Sequence, residues 1–426
     1  MKNIDNWDWT TGKKIVADVA GWRSDYPSVY EPYTSPDGEK VAAIVQDEEE
    51  TYTVCVNGTP WEKAFDKVWN LRFSPDGRAA ALVSEMAEWT VAIDGETWEN
   101  MFEFAWNMQF SQDGDSILIA AQNARSYFAV LDDQPWETGF PSMNNPAISR
   151  DGKVSAAAVQ TLQLKEGDVF GFQKGVFTLA VNGTPWKNTF VNAWEIDIST
   201  DSRLVAVEVR KTLYDYTIAI NDEPWPNYFS AVWRPRFNPA DNSVTAPVKI
   251  AGGWSLAKDG EHFWSGRYTQ LWHHFYSSDG KKIAAIVAPV FGKWTIAEND
   301  RPWGITFNEM VIDPVYSPDN RLIACAGKTD GKWTIAVDGR AWPTPFERVW
   351  SPVFSPGGDM VAAKVEINGK YAIAVNGKPL DIVFSEAWDP VFSPDGSKLL
   401  VKGIGTGEDE GKYCRHILET DKLPRK

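Results

Sequence analysis

The sequence predicts an all-β fold on three observations: one turn motif recurs from end to end, a second recurs in step with it, and aromatic residues hold fixed places between them. The first motif reads TSPDG, FSPDG, FSQDG, ISRDG, ISTDS, FNPAD, YSSDG, YSPDN, FSPGG and FSPDG in chain order. Its acidic residue falls at Asp37, Asp76, Asp113, Asp151, Asp201, Asp241, Asp279, Asp319 and Asp395, with Gly357 in its place once, at steps of roughly 38 to 40 residues. One step of about 50 residues holds LQLKEGDVFGFQKG, read as an inserted loop.

Each element of the repeat follows from its residues. Proline presets φ for the first corner, aspartate bonds back to nearby backbone, and glycine accepts the left-handed exit. A short β run follows, such as VAAIVQD or AAALVSE. Next comes an alternating run, such as EWTVAIDG, KWTIAVDG or VFTLAVNG, that ends on Asn-Gly or Asp-Gly. That dipeptide is a strong hairpin signal, because a type I′ turn needs positive φ at both central residues. A brief fourth strand around Pro-Trp completes a four-stranded blade, and about ten blades make a β-propeller. Helical periodicity does not persist beyond a turn or so. Ten units exceed the usual four to eight blades, so two smaller rings are the alternative. No Ser/Gly-rich or charged linker separates units, which favours one continuous ring.

The repeats span 31–420, followed by a short tail, 421–426. The last unit stops after its third strand, while residues 1–30 carry a spare run, KIVADVAGW. Pairing that run with the last blade closes the ring and hides its edges.

The chain has 22 tryptophans, and most fall in three rows. Trp69, Trp106, Trp194, Trp233, Trp272, Trp350 and Trp388 precede the first turn. Tyr52, Trp89, Tyr127, Phe177, Tyr216, Trp254, Trp294, Trp333 and Tyr371 stand ahead of the hairpin, and Trp61, Trp98, Trp136, Trp186, Trp225, Trp264, Trp303 and Trp342 follow it. Blades stack on one another, so the economical reading makes these rings wedge-fillers. The rivals are stacking platforms for ligand rings and an aromatic electron relay.

Composition excludes several functions. A net charge of -16 disfavours nucleic acid and anionic lipid, which need clustered Lys and Arg. Cys55, Cys325 and Cys414 are far apart and lie in strand-like runs, which is neither a disulfide framework nor a metal or haem motif. Only four histidines occur, and the adjacent His273 and His274 point to opposite faces of a strand. No nucleophile elbow, phosphate loop, dinucleotide fingerprint or calcium loop is present. The turn aspartates recur in every unit and read as structural, and the run Glu48, Glu49, Glu50 reads as a solvated loop. The amino terminus lacks a secretory pattern and no run reaches about 18 apolar residues, so the expectation is a cytoplasmic protein with no direct membrane insertion.

The unit FSPDG, AAxV, WTIAVDG resembles the WD40-like repeat of the TolB-type propellers. Together with the Trp-Pro joints, it also resembles the tryptophan-rich D subunit of the Tmc transmembrane redox complexes of sulfate-reducing bacteria. That resemblance implies a cofactor-free subunit on the cytoplasmic face of a complex holding a multihaem cytochrome c, a cytochrome b-type membrane subunit and an iron-sulfur subunit. Such a complex links periplasmic hydrogen or formate oxidation to sulfate reduction. The expectation is therefore a non-catalytic scaffold with no catalytic, cofactor or metal residues. The alternatives are a glycoside-processing hydrolase with channel carboxylates and a soluble ligand-binding propeller.

Overall fold

A computed structural model describes residues 4–425. It contains eight separate antiparallel sheets and a ninth, larger sheet that holds two blades, ten blades in all. Blade two shows the pattern: Lys67–Phe73, Ala79–Glu85, Glu88–Ile93 and Glu96–Thr97 are strands a to d, paired in that order from the ring's centre outwards. The ninth sheet arises because Lys378–Ala387 is strand d of blade nine and runs on to pair with blade ten.

One ring contains all ten blades. Each adjacent pair shares a buried apolar cluster, for example Val205, Val207 and Val209 of blade five against Ala156, Ala158 and Leu179 of blade four. The ends of the chain meet in the same way. Strand β1, Gly12–Asp18, pairs with Lys412–Glu419 as the outermost strand of blade ten. Blade ten then packs on blade one through Ile404, Tyr413, Val41, Ala43 and Val45. Lys402, buried at this seam, donates to the carbonyls of Ser35 at 2.8 Å and Pro36 at 3.0 Å. Arg415 reaches the carboxylate of Glu39. Two separate rings would leave one of these interfaces unmade.

At its amino end, Ser28–Val29 already pairs with Gln46 and Val45 as part of blade one. At its carboxy end, Leu423 packs into the cluster between blades nine and ten. The long step is a loop between strands b and c of blade four, carrying a short helix, Val169–Lys174, capped by Asp168.

The turn chemistry is uniform. In most first turns the serine hydroxyl donates to the aspartate, as from Ser149 to Asp151 at 2.8 Å and from Ser317 to Asp319 at 2.6 Å. These hydroxyls hold the carboxyls of Asp319 and Asp395 down, to about 2. The first hairpin residue is left-handed, and its side chain caps strand b: Asn57 accepts from Val41 N and Asp94 from Ala79 N, both at 2.9 Å.

The tryptophan after the hairpin is a clamp between blades, built in two ways. Where the next blade's hairpin has glycine, the indole covers it, and a methyl group on Gly183 would lie 3.1 Å from Trp136. Where it has aspartate, the carboxylate accepts from the backbone just after the tryptophan. Asp222 takes Lys187 N and Asn188 N, both at 3.0 Å, and Asp300 takes Ser265 N at 2.9 Å. At the seam the clamp comes from helix α1, Val19–Asp25, whose Trp22 lies over Gly58.

Candidate functional site

The meander gives the ring two unlike faces. First turns and hairpins share one, the turn face; the b–c loops and the crossovers between blades share the other, the loop face. Most exposed large apolar side chains belong to the loop face. Met86, Phe170, Tyr214 and Phe291 stand at b–c loops with at least four-fifths of their surface open, and Leu162, Val169 and Val290 lie beside them.

The inner tryptophan row lies early in strand a, close to the loop face. It is less buried than wedge-filling requires: Trp69 is 54% exposed, Trp233 47% and Trp272 36%, against 9% for the clamp residue Trp136. The wedge reading thus holds for clamps such as Trp136, Trp225, Trp264 and Trp342, and is corrected for Trp69, Trp233 and Trp272 of the inner row, whereas Trp106 and Trp388 still pack against buried clusters. Inner rings rest on the strand c aromatic of their own blade, with centroids 4.6 Å apart for Trp272 and Trp294 and 5.4 Å for Trp233 and Trp254. A fourth row, missed in the sequence, holds that aromatic from outside by a backbone bridge: Tyr52 with Phe65, Trp89 with Phe102, Trp294 with Phe307. Its signal is Trp-x-x-x-Phe, as in WEKAF and WENMF.

The residue after each inner ring, or after Asn144 and Ile312 where blades four and eight have no ring, sits where strand a bulges or breaks. Asn70, Asn107, Asn145, His273 and Asp313 are left-handed there, each at a shift of register. Asn and Asp tolerate this backbone better than most residues, and such bulges re-aim side chains. A proline follows one residue later in six blades: strand a is broken at Pro32, Pro235, Pro352 and Pro390 in blades one, six, nine and ten, and runs on through Pro146 and Pro314 in blades four and eight. The repeat's regularity therefore ends at the channel.

Two charged groups occupy this channel end. Between blades nine, ten and one, Lys364 lies 4.1 Å from the Trp350 ring centre and donates to Ala387 O at 3.1 Å. Burial pulls Lys364 down and pushes Asp389 up. Between blades five and seven stand Glu195, Asp197, Glu208, Arg234, Arg236 and His273. Glu208 takes the strand b place held by Leu82 in blade two and Ala120 in blade three. It is 6% exposed, with no hydrogen-bonding or ionic partner among the described residues. Burial, then repulsion from Glu195, pushes its carboxyl up to about 8.

A cleft of about 400 Å³ opens here, lined by Glu195, Trp233, Arg234, Arg236, Pro247, Trp272, His273 and His274. His274 is buried, donates from Nε2 to Thr245 O at 3.1 Å, and is pushed down to about 3 by burial. His273 sits at the bulge with a left-handed backbone, and both histidines line the cleft. Among the described residues no cluster of three or more His, Cys, Asp or Glu could hold a metal. Three further hollows surround the clamps Trp61, Trp136 and Trp342 and recur with the repeat. Cys55, Cys325 and Cys414 are free and buried, and burial pushes all three thiols up. No described helix is long and apolar enough to cross a membrane.

No family model and no curated protein matches the chain. Among solved structures it is similar to a crystal structure of the eukaryotic initiation factor, at 13% identity and TM-score 0.47, covering 80% of this chain and 94% of that one. It is also similar to the Dos1 propeller, at 12% identity and TM-score 0.36, covering 95% and 94%. A third is the Cps50 (Swd1) propeller domain of Myceliophteria thermophila, at 12% identity and TM-score 0.32, covering 64% and 98%. These likenesses are to propellers and carry no argument about activity.

Proposed function

We propose that this chain is a non-catalytic interaction scaffold that docks a protein partner on its loop face. The observation that carries this reading is the gathering of exposed apolar side chains there, Phe170, Tyr214 and Phe291 among them. Large apolar side chains left this open on one face, on the loops of blades four, five and seven, are the kind of surface that a partner covers. The turn face has the opposite character, its serines and aspartates being occupied in holding the turns.

The finer reading is a cofactor-free subunit on the cytoplasmic face of a membrane redox complex, beside a cytochrome b-type subunit, an iron-sulfur subunit and a multihaem cytochrome c. It rests on the FSPDG and WTIAVDG resemblance. The net charge of -16 suits it, because cytoplasmic loops of membrane proteins carry excess Lys and Arg. The test is a mild-detergent pull-down of the native protein from membranes, with haem and iron measured on the eluate. Co-purifying haem and iron support this reading. A colourless, metal-free protein bound to some other partner keeps the scaffold and removes the redox complex, and a lone monomer removes both.

A further inference from the structure

The cleft between blades six and seven departs from the repeat in one coherent way. Blade six alone places arginine after its inner tryptophan, where other blades have Asn, Asp, Glu, Ser or His. Its strand a is broken around Pro235, leaving an isolated bridge from Val232 to Val248 and the short strand Arg236–Phe237. The break turns two guanidinium groups towards one space, and their situations differ. Arg236 is paired with Asp197 at 3.1 Å, and the other oxygen of that carboxylate accepts from Phe237 N at 2.8 Å. Arg234 has acidic neighbours in Asp197 and Glu195 but no hydrogen bond to either, the Glu195 carboxylate lying at 3.9 Å, beyond hydrogen-bond reach. Its planar fork of donors is open.

Beside that fork stand two indoles, Trp233 and Trp272. Each lies nearly parallel to a second tryptophan, Trp254 at 17° and Trp294 at 19°, and more than a third of each remains open. An indole fixed on one side by a parallel ring presents its other side to a ligand. Pro247 and the buried His274 give the cleft rigid walls. Its volume falls within the ~300 to 1,000 Å³ of small-molecule sites.

From this geometry we propose that the cleft binds a small planar aromatic monocarboxylate, with its ring on Trp233 and Trp272 and its carboxylate on the guanidinium of Arg234. A carboxylate matches the fork in a bidentate pair. Glu195 and Asp197 leave that fork without a hydrogen bond and, with the one positive charge already offset, repel a second negative charge on a ligand, so the site discriminates against dianions. The inference does not depend on the scaffold reading, and purified protein without any partner suffices to test it.

The test is titration calorimetry of the full chain with 2-naphthoate. The matched probes are 2-naphthamide, which lacks the charge, cyclohexanecarboxylate, which lacks the aromatic ring, and 2-naphthyl phosphate, which carries more charge. The expected result is one site for 2-naphthoate, binding about tenfold or more tighter than each matched probe. Arg234→Gln should erase the preference for naphthoate over naphthamide, Arg234→Lys should restore it in part, and Trp272→Leu should erase the preference over cyclohexanecarboxylate. Trp69→Leu, an exposed inner-row tryptophan of blade two, should change nothing. Should Arg234→Gln or Trp272→Leu fail to fold, the probe series on the unaltered protein and Arg234→Lys decide the matter. Equal binding of naphthoate and naphthamide, binding untouched by both cleft variants, or no binding at about millimolar naphthoate overturns the proposal.

Discussion

The rim of this ring and its channel mouth are made of the same residue type and behave differently. At the rim, tryptophan is a joint: Trp136 is buried and donates to Ser155 Oγ at 2.9 Å, and Trp22 performs the same office at the seam. At the mouth, Trp69 and Trp233 are half open, and the residue beside the inner tryptophan changes from blade to blade: Asn70, Glu195, Arg234, His273, Ser351, Asp389. A contact that every blade must make keeps its residues, while a position that faces the channel is free to vary. Uniformity marks assembly here, and departure from the repeat marks the place where a ligand or partner can be recognised.

The largest effect should come from breaking the rim at its seam. Removing residues 1–25 takes away β1 and Trp22, baring the edge of Lys412–Glu419 and the cluster around Tyr413. The expected outcome in denaturant titration is a loss of roughly 5 kcal/mol or more, or aggregation. A monomer with an unchanged midpoint would show that the seam does not hold the ring.

At the mouth, Glu208→Gln should stabilise. The native carboxyl titrates near 8 against 4.5 when unfolded, so the native state keeps a proton that the unfolded chain releases between those values. Stability therefore falls as pH rises through that window. Measured near pH 9, Glu208→Gln should gain on the order of a few kcal/mol, with little change near pH 4. A parallel pH dependence in both proteins would remove the strained-carboxyl account.

Trp136→Leu at the rim should cost about 3 kcal/mol by equilibrium unfolding, through a cavity and the lost indole hydrogen bond to Ser155. A smaller rim effect separates the two clamp types. Asp222→Ala loses the acceptor of Lys187 N and Asn188 N and should cost about 1 to 2 kcal/mol. Asp222→Gly should cost less, because φ is 78° there and glycine hairpins serve the other joints. Last, Trp69→Leu at the mouth should shift stability by less than about 1 kcal/mol. A mouth tryptophan as costly as Trp136 would erase the distinction between the regions.

The fold was legible because its signals are local and repeated. Ser-Pro-Asp-Gly and Asn-Gly dictate turn geometry within a few residues, and ten copies leave little room for another architecture. The spare run KIVADVAGW was legible as a closing strand, but its last residues form α1, and the use of Trp22 as a clamp depends on a contact across the seam. The inner and clamp tryptophans fall in separate rows of the sequence, but their different burial could not be read there, since it depends on radius in the ring. Glu208, Lys364 and Lys402 occupy one strand b place, and aligning the ten units by their turns would have singled them out. That their surroundings differ, with Lys402 satisfied by two carbonyls and Glu208 by none, needs the neighbouring blade.

Site-specific photo-cross-linking in native cells tests the central claim most directly, with the photoreactive residue at Phe170 or Phe291 on the loop face and at Lys153 or Glu96 on the turn face. The account predicts a discrete adduct to one partner protein from the loop-face positions and none from the turn-face positions. Adducts confined to the turn face, or none from either, would contradict it.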